Sequence, residues 1–178
     1  MLRGRRFAET ESLAEALLGD DGLRIEGLLM KSRAAQTQGR LTEARNALDR
    51  AHAEQPDDAQ VQRERCQFLF DHGTSDEAER TLRALIDHSP DDASAYHNLG
   101  TLLMRSGRHE EAVQVYRQSL RYRPNYAATY LNLGYALKDS GRVEEAASAW
   151  EQVVRLAPND PVVPQELARP GRTRASVC

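Results

Sequence analysis

The sequence predicts an all-α fold of repeated helix pairs, and two observations carry the prediction. One pattern is written twice at an offset of 34 residues: Tyr96, Asn98, Leu99, Gly100, Leu103, Gly107, Glu111, Ala112, Tyr116 and Pro124 return as Tyr130, Asn132, Leu133, Gly134, Leu137, Gly141, Glu145, Ala146, Trp150 and Pro158. Stepping back by the same offset recovers Gly73 and Gly39, Ala78 and Ala44, and Pro90 and Pro56. Four units therefore share one register without insertion or deletion: residues 25–58, 59–92, 93–126 and 127–160. A domain with one unrepeated core has no reason to do this, whereas stacked hairpins do.

The units lie between an N-terminal arm, residues 1–24, and an irregular C-terminal tail, residues 161–178. Residues 1–8 read as a disordered or loosely attached start. From Glu9 to Leu18, apolar Leu13, Ala14, Leu17 and Leu18 recur at helical spacing beside Glu9, Glu11 and Glu15, predicting a partial capping helix that ends at Gly19. In the first unit a helix over about 23–37 presents Leu28, Leu29 and Ala35. Gly39 turns the chain, because a residue just past a helix end often needs positive φ and glycine has no Cβ to clash. A second helix then stacks Ala44, Leu48 and Ala51 on one face. Ser32 stands at the close crossing.

The second unit departs further, with Gln62 and Arg65 in columns that later read Tyr and Leu, and with Cys66 in the small-residue column. Cys66 is expected as a small buried hydrophobe. Phe68, Leu69, Leu82, Leu85 and Ile86 supply the apolar face, Gly73 and Ser75 mark the turn, and Pro90 ends the helix. In the third and fourth units Gly100 and Gly134 fall in mid-helix, at a cost of about 1 kcal/mol each relative to alanine. That cost implies close approach of a partner helix. Ala112 and Ala146 are expected to oppose these glycines, with Tyr116 and Trp150 packing against the next helix. Past Asp160, Pro161, Pro164 and Pro170 offer no ordinary closing helix. The face bearing Val153, Leu156 and part of Trp150 is therefore expected to be underprotected.

The spacing of small, aromatic and proline positions in the last two units resembles the tetratricopeptide repeat family. The resemblance implies a right-handed α–α superhelix whose first helices line a concave groove that receives a peptide or a partner helix. For biochemical role it implies little more, since the family is defined by how helices pack.

Length fits one domain. The 40% hydrophobic and 29% charged residues lie in the folded range, and a net charge of −3 gives no long-range field for nucleic acid or an anionic membrane. The cations are arginines except for Lys31 and Lys138, a bias compatible with a GC-rich, bacterial genome. Cys66 and Cys178 are too far apart in sequence to suggest a disulfide framework, and no signal peptide or long apolar run is present, so a cytoplasmic setting is expected.

No catalytic or cofactor motif emerges. The five histidines form no ligand pair on consecutive helical turns, and neither HExxH nor CxxC occurs. No cofactor or metal is expected, and the chain reads as a non-enzyme. The acid pairs Glu110/Glu111 and Glu144/Glu145 fall at one repeat phase, at the start of second helices, where carboxylates meet exposed amides. Arginines interleaved with acids leave no phosphate-tracking stripe.

Phase selects the inner side of the first helices: Leu29, Met30, Arg33 and Thr37; Arg63, Glu64, Gln67 and Asp71; His97, Asn98, Thr101 and Arg105; Leu131, Asn132, Tyr135 and Asp139. Asn98 and Asn132 share one column, and an asparagine can donate to and accept from an extended backbone at once. They resemble the asparagine ladder of some peptide-binding members of the family, incomplete here because Met30 and Glu64 hold the earlier positions. Arg33, Arg63 and Arg105 with Asn98 weakly imitate a clamp for a C-terminal carboxylate, against which Glu64 and Asp71 add repulsion. The expected function is a non-catalytic interaction scaffold. In it Asn98 and Asn132 grip a protein or peptide, while Arg63, His97, Arg105 and Tyr135 tune selectivity and Arg33 also lines the groove. Self-assembly through the array ends, giving a homo-oligomer, and a role as accessory domain of a larger enzyme are the alternatives.

Overall fold

The computed structural model describes the backbone of residues 2–158 and the side chains from residue 9 onward. The expected irregular tail, 161–178, lies outside the described residues. Those described form α1 (Leu2–Leu18), α2 (Arg24–Thr37), α3 (Leu41–Glu54), α4 (Ala59–His72), α5 (Ser75–His88), α6 (Ala93–Arg105), α7 (His109–Tyr122), α8 (Ala127–Asp139) and α9 (Val143–Leu156). This is the all-α architecture of repeated helix pairs. The chain divides into two compact units, one up to Thr81 and one from Leu82 onward, the division falling inside α5.

In the first unit α1 packs on α2, α2 on α3 and α3 on α4. Helix α1 begins at Leu2, not at Glu9 as the loss of apolar pattern suggested. Nothing in the preceding residues forbids helix, since the segment lacks proline and only Gly4 disfavours it. Gly27 makes the α1–α2 crossing possible: a Cβ there would meet the Ala14 carbonyl oxygen and the Leu17 Cβ, each at 3.0 Å. Polar clips hold the same crossing, Lys31 Nζ reaching Glu15 at 2.5 Å and Arg40 pairing with Glu11. Leu28, Leu29, Ala35, Ala44, Leu48, Ala51, Val61, Phe68 and Leu69 form one buried cluster. Leu29 therefore belongs to the core and not to the groove side assigned to it by phase. Cys66 is buried, its Sγ 3.3 Å from the Thr81 carbonyl oxygen.

In the second unit α6 pairs with α7, α8 with α9, and α7 packs on α8. The mid-helix glycines are explained here, though by different partners from those expected. A Cβ on Gly100 would lie 2.6 Å from Tyr116 Cε1, and one on Gly134 only 2.1 Å from Trp150 Nε1. The aromatic rings, not Ala112 and Ala146, fill the space that glycine vacates. They sit against the first helix of their own hairpin, where Trp150 Nε1 donates to the Leu131 carbonyl at 3.3 Å. Ala112 and Ala146 are fully buried all the same. Trp150 and Val153 are buried too, which corrects the expectation of exposure at those two positions, whereas Leu156 is half-buried. The outward residues Val143 and Val154 remain 39% and 42% exposed.

Three of the four turns are built alike. Gly39, Gly107 and Gly141 have φ of 73°, 74° and 78°, and the following arginine amide bonds back to Ala35, Leu103 or Leu137 at 2.9, 2.9 and 2.8 Å. Arg40, Arg108 and Arg142 then clip Glu43, Glu111 and Glu145 three residues on. Arg108 holds the Glu111 carboxyl, and Arg142 the Glu145 carboxyl, below the ordinary carboxylate value. Glu145 also receives Arg117 at 2.6 Å, and Glu110 receives Arg142 at 3.2 Å, so these acids act as structural ties.

Gly73 differs, with φ −86° and ψ −179°. Here Thr74 replaces the turn arginine, and its Oγ1 accepts from the Glu77 amide at 3.3 Å, so the side chain caps the next helix instead. Glycine is still required, because a Cβ would sit 2.6 Å from the Leu69 carbonyl oxygen.

Candidate functional site

Within the first unit, Arg33 on α2 and Arg63 on α4 are both exposed. Arg33 is already engaged, donating to Glu64 through Nε at 3.0 Å and also through Nη2, and this contact raises its pKa further. The repulsion expected from Glu64 is therefore offset within the fold by its pairing with Arg33. Arg63 makes no ion pair among the described residues. Gln67 Nε2 donates to Asp71 at 2.8 Å.

The second unit brings its candidate residues together on α6 and α8. His97 Nδ1 lies 2.8 Å from Thr129 Oγ1 on α8, and Thr129 is fully buried. The imidazole centroid is 5.9 Å from that of Tyr116 and 5.2 Å from that of Tyr126, whose ring carries the Arg123 guanidinium at 5.0 Å. Thr101 is the central node. Its hydroxyl donates to the His97 carbonyl at 3.0 Å and accepts from the Tyr116 hydroxyl at 3.1 Å and from Asn132 Nδ2 at 3.5 Å. Burial pushes the Tyr116 phenol up to about 12, so it stays a neutral donor. Tyr135 packs edge-on against Trp150 with centroids 5.5 Å apart.

Asn98 is half-buried on the same helix as His97, and Arg105 is exposed without an ion pair among the described residues. Asp139 Oδ2 lies 4.0 Å from His109 Nδ1. Asn132 on α8 thus meets Thr101 on α6 at the pair of columns where Glu64 on α4 meets Arg33 on α2. One interhelical geometry carries an amide–hydroxyl contact in one unit and an ion pair in the other.

Phase assigned His97, Asn98, Arg105, Asn132 and Tyr135 to one side of the first helices and did not pick out Thr129 and Tyr126, which contact His97. A signal was present in both. The Thr129 column otherwise reads Gly27, Val61 and Ala95, and Tyr126 stands where Asp58 and Asp92 cap α4 and α6. Both departures occur beside His97.

Burial lowers the His97 pKa below its ordinary 6.5. The unfolded chain then binds the proton more readily than the folded one, so folding stability should be complete above about pH 7 and fall as pH drops below about 6.5, levelling once the folded pKa is passed. The paired carboxylates lose stability only at lower pH, which leaves a window of about pH 5–6.5 for His97. Urea melts across that window should show the fall in the parent chain and a smaller one in His97→Gln; identical slopes would remove His97 as its source.

No grouping of three or more metal-ligating side chains occurs among the described residues, and no helix there is long and apolar enough to cross a membrane. Two family profiles described as Tetratricopeptide repeat match residues 35–103 and 97–161. No curated protein matches the sequence. Among solved structures, MamA designated AMB-1 superposes with a TM-score of 0.72 at 23% identity, covering 96% of this chain and 91% of that one. A MamA double mutant designated RS-1 gives 0.74 at 20% identity, covering 80% of each chain. A further MamA crystal structure gives 0.72 at 19%, covering 99% of this chain and 93% of that one. At such identities the likeness speaks for the fold alone.

Proposed function

We propose that this chain, which belongs to the tetratricopeptide repeat family, is a non-catalytic scaffold that holds an extended peptide segment of a partner protein across α6 and α8. The coarser part, a protein-interaction module of this repeat class, follows from the family. The observation that supports the site is the cross-helix network of His97, Thr101, Tyr116, Thr129 and Asn132. It fixes polar side chains on two neighbouring first helices before any ligand arrives, which lowers the ordering cost of binding.

In this reading Asn98 and Asn132 grip, while His97, Arg105, Tyr135 and Arg63 select, and Arg33 is paired with Glu64. The division into an arm (1–24), four repeats (25–160) and a tail (161–178), and a cytoplasmic setting, are parts of the same proposal and rest on the sequence. Neither cofactor nor nucleic acid enters it. A second reading, self-association through α9, is favoured by exposed Val143 and Val154.

The test is a peptide selected from a random-sequence library against the intact chain, titrated by calorimetry. Asn98→Ala with Asn132→Ala should weaken it about tenfold or more, the loss of one to two hydrogen bonds. Unchanged affinity sinks the site. Light scattering on the same sample reads the second reading directly, a strict monomer dismissing it.

A further inference from the structure

We infer that His97 and Thr129 form a proton-operated latch between α6 and α8, closed while the imidazole is neutral and opened when it takes a proton at Nδ1. Thr129 is fully buried, and its hydroxyl makes no hydrogen bond among the described residues other than the 2.8 Å contact with His97 Nδ1. Its proton must be given to that nitrogen, because a buried donor left unpaired is costly. Nδ1 therefore accepts, and the proton of the neutral imidazole sits on Nε2. Nε2 is not among the buried unpartnered atoms, so its N–H reaches solvent. The nitrogen left to titrate is the one that faces Thr129.

Once Nδ1 is protonated it donates, and the Thr129 hydroxyl must turn round to accept, stranding its own proton inside the fold. The surroundings do not compensate the new charge. Against the imidazole lie the Tyr116 ring from α7, the Tyr126 ring just ahead of α8 and the Thr129 hydroxyl from α8. The charged group on the Tyr126 ring is itself a cation, Arg123. Asp87 on α5 acts on Tyr96 and not on His97, whose pKa is lowered by burial with no acid contributing. Opening the contact and letting the imidazolium reach water is the way out of this conflict. The seam suits such an opening. Helices α6 and α8 meet directly over a short stretch, whereas each packs along its hairpin partner. Two polar ties cross that stretch, His97 with Thr129 and Thr101 with Asn132 at 3.5 Å, and the proton removes the shorter. A partner held across both helices would then be released as pH falls, a consequence that rests on the α6–α8 binding reading, whereas the latch itself does not.

The experiment is backbone hydrogen exchange on the intact chain at about pH 7 and about pH 5.5, above the range where carboxylates titrate, corrected for the intrinsic effect of pH. Protection of Tyr130, Leu131 and Asn132, in the first turns of α8, should fall about fivefold at the lower pH, the loss of one hydrogen bond. The α6–α7 pairing should keep its protection. His97→Gln should show equal protection of α8 at both pH values, and Thr129→Val, which keeps the shape and removes the hydroxyl, the weaker protection at both. A parent α8 indifferent to pH, a fall retained in His97→Gln, or a loss spread evenly over residues 82–158 overturns the latch and leaves the binding reading untouched. The selected peptide, titrated at the same two pH values, reads the consequence: an opened α8 with unchanged affinity keeps the latch and overturns binding across α6 and α8.

Discussion

Gly134→Ala should destabilise the chain by about 2–3 kcal/mol, although alanine is the better helix former by about 1 kcal/mol. The added methyl would lie 2.1 Å from Trp150 Nε1 and 2.4 Å from Cδ1. The ring cannot swing aside cheaply, because it is buried, tied to the Leu131 carbonyl and packed against Tyr135. Urea melts measure the loss. Trp150→Leu in the same chain should recover about half of it, as expected when two changes share one contact. The repeat register supplies the precedent: the first unit carries Ser32 and Leu48 at these two positions, both fully buried. A neutral or stabilising Gly134→Ala would show that the indole does not require the glycine.

Tyr116→Ala should cost about 3–5 kcal/mol, the range for deleting a buried aromatic side chain and leaving its cavity. Tyr116→Phe keeps the ring on Gly100 and the contact with His97, removing only the hydroxyl bond to Thr101, and should cost about 1 kcal/mol. The ratio separates packing from polar connection. A Phe variant as damaging as the Ala variant would mean that the hydroxyl network, not the ring, holds α6 to α7.

These two sites show how unevenly the molecule could be read in advance. The glycine columns and the aromatic columns were both visible, and the cost of a mid-helix glycine already demanded a close neighbour. Pairing each glycine with the correct neighbour failed, since alanine and the aromatic four residues later lie on the same face of the second helix. Only the rotation of that helix against its partner decides which one meets the glycine. Gly73 was legible as a turn but not in its conformation. Its column matched the other turns, but Thr74 in place of arginine gives the next helix a side-chain cap and removes the need for positive φ.

The sequence alone determined what translation along a repeat can determine: the period of 34, the positions of the turns, the class of fold and the pair of first helices that share a polar column. Equivalent positions in stacked hairpins must be equivalent in sequence, so periodicity is sufficient evidence for them. The tertiary structure decided the rest. Leu29 turned inward, Arg33 paired with Glu64, and the nitrogen of Asn132 was set 3.5 Å from Thr101 Oγ1. Each outcome depends on groups contributed by a different helix, and the direction of a side chain across a helix interface is not a periodic quantity.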